Sequence, residues 1–402
     1  MELLIYLILF LLVLIVSSTT NKLLPFLPLP LVQILLGIVI GLFLPNTDFH
    51  LNTELFLALV IGPLLFRESE EADITAILKH WRIIVYLIFP VIFISTLSLG
   101  GLAHLLWLSL PLAACLAVGA ALGPTDLVAF ASLSERFSFP KRVSNILKGE
   151  GLLNDASGLV AFQVALTAWT TGAFSLGQAS SSLIFSILGG FLIGFLTAMI
   201  NRFLHSFLLS VRATDIASEL LLELSLPLVT FFLAEEVHVS GIIAVVVAGI
   251  LKASRFKKIT LLEAQVDTVT ETVWHTVNFM LNGSVFVILG MELEMIAEPI
   301  LTNPIYNPLL LLLSLIALTF LLFAIRFIMI YGYYAYRTRR LKKKLNKYMK
   351  DMLLLTFSGV KGTVSIATIL LIPSNLEQEY PLLLFLVAGV TLVSFLTGLL
   401  VL

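Results

Sequence analysis

Four ionisable side chains sit inside apolar runs, where a charge is costly: Asp126 in AALGPTDLVAF, Asp155 in GEGLLNDASGL, Arg326 in TFLLFAIRFIM and Lys361 in TFSGVKGTVS. A carboxylate withdrawn from water holds its charge poorly and is neutralised by a proton or by a bound cation. Asp155 can therefore carry either, but not both at once. Hydroxyls at Thr125 and Ser157, with backbone carbonyls freed by a helix break, are the hard oxygen ligands that an alkali cation takes. Asn154, standing where a second aspartate could be, leaves one titrating group in that motif and favours one-for-one exchange of the two occupants.

The elements that must position these groups are membrane spans. Of 402 residues, 59% are hydrophobic and 12% charged, and the mean hydropathy is +1.06. Apolar runs of roughly 20 residues, each long enough to cross a hydrocarbon core of about 30 Å, recur from end to end. They fall near 2–18, 23–44, 53–66, 83–106, 112–133, 145–171, 181–203, 214–235, 238–254, 264–291, 305–336, 350–373 and 380–402. The expected fold class is thus an all-α polytopic membrane protein of about 13 transmembrane helices. The first run resembles the apolar part of a signal peptide but has no preceding Lys or Arg, and is read as a retained helix. Cys115 is the only cysteine, so a disulfide or thiolate metal cluster within the chain is excluded, and the histidines show no metal-ligand spacing. No cofactor and no nucleic-acid partner is expected.

Charge placement tests the count. Of the 24 Lys and Arg, 22 lie in or beside alternate loops, the odd-numbered ones, and the even loops, such as PNTDFHLNTE and AEPILTNPIYNP, carry none. Positive loops remain cytoplasmic, which places the N-terminus outside and the C-terminus inside a cell membrane. The basic run RTRRLKKKLNKYMK reads as a topology determinant that can also meet anionic lipid heads.

The two cations left over are Arg326 and Lys361. Arg326 lies 11 residues from Arg337, Lys361 11 from Lys350, Asp126 10 from Arg136 and Asp155 13 from Arg142. At 1.5 Å per residue all four sit roughly 15–20 Å deep, in one layer near the midplane. Gly123 and Pro124 predict a break in the fifth span, and Gly359 and Gly362 one in the twelfth. Each broken span is the middle member of a three-span group, 83–171 and 305–402, the arrangement of an inverted repeat with its site at the two breaks.

These motifs resemble those of sodium/proton antiporters of the NhaP/NHE type. EGLLND at 150–155 is similar to their E-S-L-L-N-D signature, PTD at 124–126 to their T-D-P break, and GVKGTVSIA to their G-L-R-G-A-V-S segment; HVSGIIAVVVAGI at 238–250 also resembles a family span. The resemblance implies the NhaA/NhaP-like fold with two broken crossing helices, and a homodimer. It implies a mobile core of 67–172 and 301–402 sliding in elevator fashion against scaffold helices in 1–66 and against a linker and scaffold in 173–300. It further implies that Asp155 holds the cation or the proton, that Thr125 donates an oxygen to it, and that Asn154 and Asp126 shape the crossing. Glu150 would pair with Arg326, and Lys361 would take the place of an arginine near the second break. The activity implied is exchange of Na⁺ or Li⁺ for H⁺, with K⁺/H⁺ exchange on the same fold as the alternative; the substrates are then monovalent cations and protons, and the surrounding partner is lipid. Three positions depart from the family pattern: Gly151 replaces a serine, Leu127 a proline, and Lys361 an arginine, whose planar fork a lysine cannot reproduce.

Other groups are read alongside. Glu219 and Glu223, at i and i+4, share a face of the eighth span and either line a cation funnel or form a structural pair. Late in the third run, LLFRESEEAD offers Arg67 and then Glu68 where the family often has an acidic residue. His104 and Trp107 read as interface anchors. Two aspartates on neighbouring spans, Asp126 and Asp155, also admit an intramembrane aspartyl protease. Against that stand the missing G-x-G-D pattern, Asn154, and two cations that would hold both carboxylates ionised when the protease needs one protonated. A channel is the remaining class, and broken helices suit alternating access better.

Overall fold

In a computed structural model of the chain, the backbone is described for 2–402 except 25–26, 28, 44–52, 135–136, 173–175, 212–214, 254–260, 303–305, 341, 343–344 and 373–379. Side chains at 2–7, 53–54, 128, 131–132, 153, 155–156, 176–183, 261–267, 296–299, 301–302 and 363 also lie outside the description. Among the described residues there is no strand, and the helices form thirteen spans. In order these are Glu2–Leu23, Leu29–Phe43, 53–71, Trp81–Leu106, 112–134, Lys141–Thr171, Leu176–Ser210, Ile216–Glu236, Gly241–Ala253, Leu261–Thr302, Pro308–Arg340, 349–369 and Tyr380–Val401. The molecule is an all-α polytopic membrane protein.

Several spans overrun the apolar segments that announce them. The third continues to Glu71 rather than 66 because its charged turn is held by pairs along the helix, Arg67 with Glu70 at 3.0 Å and with Glu71 at 2.6 Å. The tenth has 42 residues, about 60 Å of helix and therefore longer than a bilayer core needs. Hydropathy locates the part of a helix that meets lipid, whereas its ends are set by local pairing and capping. The eighth span begins at such a cap, where the Ser218 N–H donates to Asp215 Oδ1 and the Asp215 N–H to Ser218 Oγ.

Two spans carry π-helical turns near prolines. Leu87–Val91 contains Pro90, and Leu57–Ile61 directly precedes the turn with Pro63. A proline lacks the N–H and crowds the carbonyl four residues back, and the widened turn relieves that clash.

The chain forms two compact units, one of 1–49, 75–174 and 285–402, the other of 50–74 and 175–284. In the first, the fourth span packs along LAACLAVGAA of the fifth, whose Ala114, Ala117, Ala120 and Ala121 are buried. Lipid drives helices together no better than Leu does, so close contact through small side chains supplies the adhesion. Trp107, expected at the interface, is instead buried at 6% exposure, with its indole N–H donating to Ser314 Oγ at 3.1 Å. The eleventh span crosses beside it and offers an acceptor inside the unit, which satisfies the indole better than a headgroup would.

The second unit has its own ionic centre. Lys252 Nζ lies 2.8 Å from Glu223 and 3.6 Å from Glu70, and Trp274 Nε1 donates to Glu223 at 3.1 Å. Arg67 stacks over the Trp274 ring. Glu219 is paired separately, with His205 at 2.6 Å. Glu219 and Glu223 therefore serve different partners. Lys252→Met is expected to lower the thermal unfolding midpoint more than Glu223→Gln, because it strips two carboxylates of a cation at once; the difference should be about 1–2 kcal/mol. If these groups only hold the helices, neither change moves the KM for cation in a flux assay; a rise of several-fold in Glu223→Gln would reveal a funnel.

Candidate functional site

The two broken spans meet at their breaks. The fifth consists of half-helices Leu112–Ala121 and Leu127–Ser134, the twelfth of Met349–Phe357 and Thr363–Ile369. The extended residues of each lie against those of the other, and the Asp126 N–H donates to the Val360 carbonyl at 3.0 Å. Each half-helix ends in unsatisfied backbone groups, partial positive charge at N-termini and partial negative at C-termini. At membrane depth no water offsets them, so side chains must.

Three charged groups meet those ends with opposite sign. Lys361 Nζ, on the twelfth span, crosses to the fifth and donates to the carbonyls of Gly123 at 2.7 Å and Pro124 at 2.5 Å, just past the C-terminus of Leu112–Ala121. Arg326 Nε donates to the Leu355 carbonyl at 2.9 Å, at the C-terminal end of Met349–Phe357. Asp126 Oδ1 accepts the Ala129 N–H at 2.8 Å and so caps Leu127–Ser134. The same carboxylate lies against Gly362, the residue that starts Thr363–Ile369; a β-carbon there would overlap it, as one at Gly359 would overlap the Arg326 guanidinium. Both glycines are needed because charged groups pass where a side chain would stand. Asp126, Arg326 and Lys361 are all buried.

A second set of bonds ties the sixth span to this crossing. Arg326 Nη1 and Nη2 donate to Glu150 Oε1 and Oε2 at 2.6 and 2.8 Å, a bidentate pair with both partners buried. Glu150 Oε1 also accepts from Thr125 Oγ1 at 3.2 Å. Asn154 Nδ2 donates to Thr125 Oγ1 at 2.7 Å and to the Thr125 carbonyl at 3.1 Å. That orientation leaves Asn154 Oδ1 as a buried acceptor with no hydrogen-bond partner among the described residues. Ser157 Oγ donates to the Asn154 carbonyl at 2.8 Å. The structure thus brings together Thr125, Asp126, Glu150, Asn154, Ser157, Arg326 and Lys361. Asp155 follows Asn154 on the helix Lys141–Thr171, and its side chain lies outside the described residues. Glu219 and Glu223 belong to the other unit and keep the partners given above.

Sequence reasoning missed Ser394, which accepts the Lys361 N–H at 3.1 Å from the thirteenth span. No signal marks it, since a serine in an apolar helix ordinarily bonds its own backbone, as Ser394 also does to Thr391 O. Lys361→Met is expected to leave two buried carbonyls unpaired and cost about 3 kcal/mol of stability, read as a lower thermal midpoint in detergent. Lys361→Arg should recover part of that loss, since it restores the charge but not the compact head that reaches both oxygens.

Residues 7–402 match the family model described as sodium/hydrogen exchanger, transmembrane. The chain is 35% identical over 393 residues to a sodium, potassium, lithium and rubidium/H⁺ antiporter of Bacillus pumilus, covering 96% of this chain and 59% of that protein. A protein of the same description from Bacillus subtilis is 35% identical over 384 residues, 94% of this chain and 57% of that one. The chain therefore spans somewhat over half the length of these relatives. Its fold is shared with a sodium proton antiporter from Methanocaldococcus jannaschii, at a TM-score of 0.71 and 20% identity, covering 100% of this chain and 95% of the other.

Proposed function

The chain belongs to the transmembrane sodium/hydrogen exchanger family, and from that premise we propose that it is a secondary transporter exchanging Na⁺ or Li⁺ for H⁺ across the cell membrane. The reading rests above all on Asn154 Oδ1, a buried acceptor without a donor among the described residues, one residue from Asp155 and beside the crossing of two broken helices. Protein acceptors satisfy the nitrogen of that amide, and a dehydrated alkali cation is a natural partner for the oxygen that remains.

In this mechanism Asp155 supplies the charge and Asn154 Oδ1, Thr125 and Ser157 supply neutral oxygens. The Thr125 hydroxyl and carbonyl already accept from Asn154 Nδ2, and their remaining lone pairs face the task of ligation. Asp126, Lys361 and Arg326 stay with the half-helix ends, so the charge that changes during the cycle is that of Asp155. A proton neutralises it when the cation leaves, and the site crosses occupied either way. One carboxylate serving one cation or one proton gives electroneutral exchange. The segments 67–172 and 301–402 carry this site as the mobile core, with 1–66 and 173–300 as scaffold. Two copies associate as a homodimer, the N-terminus is outside and the C-terminus cytoplasmic, and the physiological role is pH and cation homeostasis.

A broader cation range, K⁺ included, is the second reading, favoured by the potassium and rubidium in the descriptions of the two Bacillus relatives. Purified protein in liposomes with a trapped pH dye tests both. Na⁺, Li⁺ and K⁺ are added in turn with the membrane potential clamped at two values. The reading expects proton movement with Na⁺ or Li⁺ at a rate independent of potential; K⁺ at similar rates selects the broader range. Proton movement indifferent to every alkali cation would end it.

A further inference from the structure

The first unit carries a cavity of about 670 Å³ that has no place in the exchange chemistry. It lies where the start of the fourth span meets the end of the eleventh, lined by Lys79, His80, Trp81, Arg82, Tyr333, Tyr336, Arg337 and Arg340. Four cations from segments some 250 residues apart in sequence converge on it, and among the described residues no carboxylate lines it. Among the described residues none of the four has an ion-pair partner. The neighbouring Arg142 is different: it is satisfied by Asp351 at 3.5 Å and by the Tyr334 hydroxyl at 3.1 Å.

A topology signal needs positive charge on one side of the membrane, but it does not need those charges gathered around a hollow. Gathered cations repel one another unless an anion lies between them. His80 reports the field, since burial and then Arg142, Arg337 and Lys79 hold its imidazole below the usual range. Trp81 and Tyr336 are 53% and 68% exposed at the rim, and such rings settle at the level of lipid headgroups. The volume falls in the range of small-molecule sites.

We propose that this cavity binds the phosphate of an anionic phospholipid headgroup. Arg82, Arg337 and Arg340 offer planar forks for phosphate oxygens and Lys79 a point charge. Trp81 and Tyr336 seat the glycerol region, and the acyl chains run down the lipid-facing sides of the two spans, where Phe89 and Ile328 are exposed.

The test is native mass spectrometry of the delipidated full chain, titrated with phosphatidylglycerol or with phosphatidylcholine of the same acyl chains. Phosphatidylglycerol should bind saturably and phosphatidylcholine much more weakly. Arg82→Gln/Arg337→Gln should weaken phosphatidylglycerol about fivefold per charge removed, roughly 25-fold together, and Arg202→Gln should not. The single variant Arg340→Gln, at an exposed helix end, repeats the measurement with little risk to folding. In carbon NMR of the His80 ring, phosphatidylglycerol should raise its titration midpoint and phosphatidylcholine should not. A separate arm with inorganic phosphate distinguishes the source. If phosphate alone shifts His80 and phosphatidylglycerol does not bind, the lipid assignment is wrong. Equal affinity for both lipids, or an unchanged affinity in the charge variants, overturns the site itself.

Discussion

Asp155→Asn is expected to reduce cation-driven proton flux to below about 1% of the unsubstituted protein while leaving the thermal unfolding midpoint within about 2 °C. Asparagine has nearly the shape of aspartate and keeps one oxygen for a cation, so packing has little reason to change. What it loses is the charge that both occupants neutralise. Without that charge a dehydrated cation is not compensated, since neutral oxygens alone hold it weakly, and there is no proton to release in return. A hundredfold loss corresponds to about 2.7 kcal/mol, modest beside the cost of carrying an uncompensated ion through a low-dielectric core. Residual cation binding in the variant should be independent of pH, because the competing occupant is gone. Flux near the original level would transfer the role to another group.

The natural comparison is Asp126→Asn. Asparagine is as good a helix N-cap as aspartate, and Ala129 keeps its acceptor. The variant loses the negative charge that faces two half-helix N-termini, and those ends alone account for about 1 kcal/mol or somewhat more at this depth. Its thermal midpoint should fall while exchange continues at a reduced rate. Opposite outcomes at the two aspartates would separate the carboxylate that titrates from the one that holds the crossing.

Much of this arrangement is legible in the residues themselves. Long apolar runs and alternating basic loops give thirteen spans because lipid penalises charge and unpaired backbone without exception. Gly123 with Pro124, and Gly359 with Gly362, betray the two breaks, since few other sequences interrupt a helix at that depth. Counting from loop charges puts four ionisable groups in one layer. Which partner each would find is not legible. Lys361 reaches back to carbonyls some 238 positions earlier, and Asp126 lies against the start of the other broken span, and neither contact follows from any local pattern. Trp107 is similar: a tryptophan near the end of an apolar run reads as an interface anchor until a neighbouring serine is known to face it. The ionic centre of the second unit escapes for the same reason, because Arg67, Lys252 and Trp274 come from three separate spans.

The second large effect concerns the Glu150–Arg326 pair, and a double-mutant cycle is expected to show strong coupling in stability. Glu150→Gln leaves a buried guanidinium with one neutral acceptor and the Leu355 carbonyl. Arg326→Met leaves a buried carboxylate with the Thr125 hydroxyl alone among the contacts described, and also strips the end of Met349–Phe357 of its donor. Each single change should cost about 3–5 kcal/mol, the usual penalty for stranding one member of a buried pair. Glu150→Gln/Arg326→Met removes both charges, so the desolvation that each single variant suffers disappears, and it should be more stable than either by at least about 2 kcal/mol. Thermal unfolding of the four proteins in one detergent gives the coupling directly. Flux assays on the same set then decide what the pair is for. If it only fastens the sixth span to the eleventh and twelfth, the double variant exchanges ions at a rate well above either single one. If the double variant is as stable as expected yet silent in flux, the pair takes part in the transport cycle, and the separation between a titrating Asp155 and a fixed supporting frame fails.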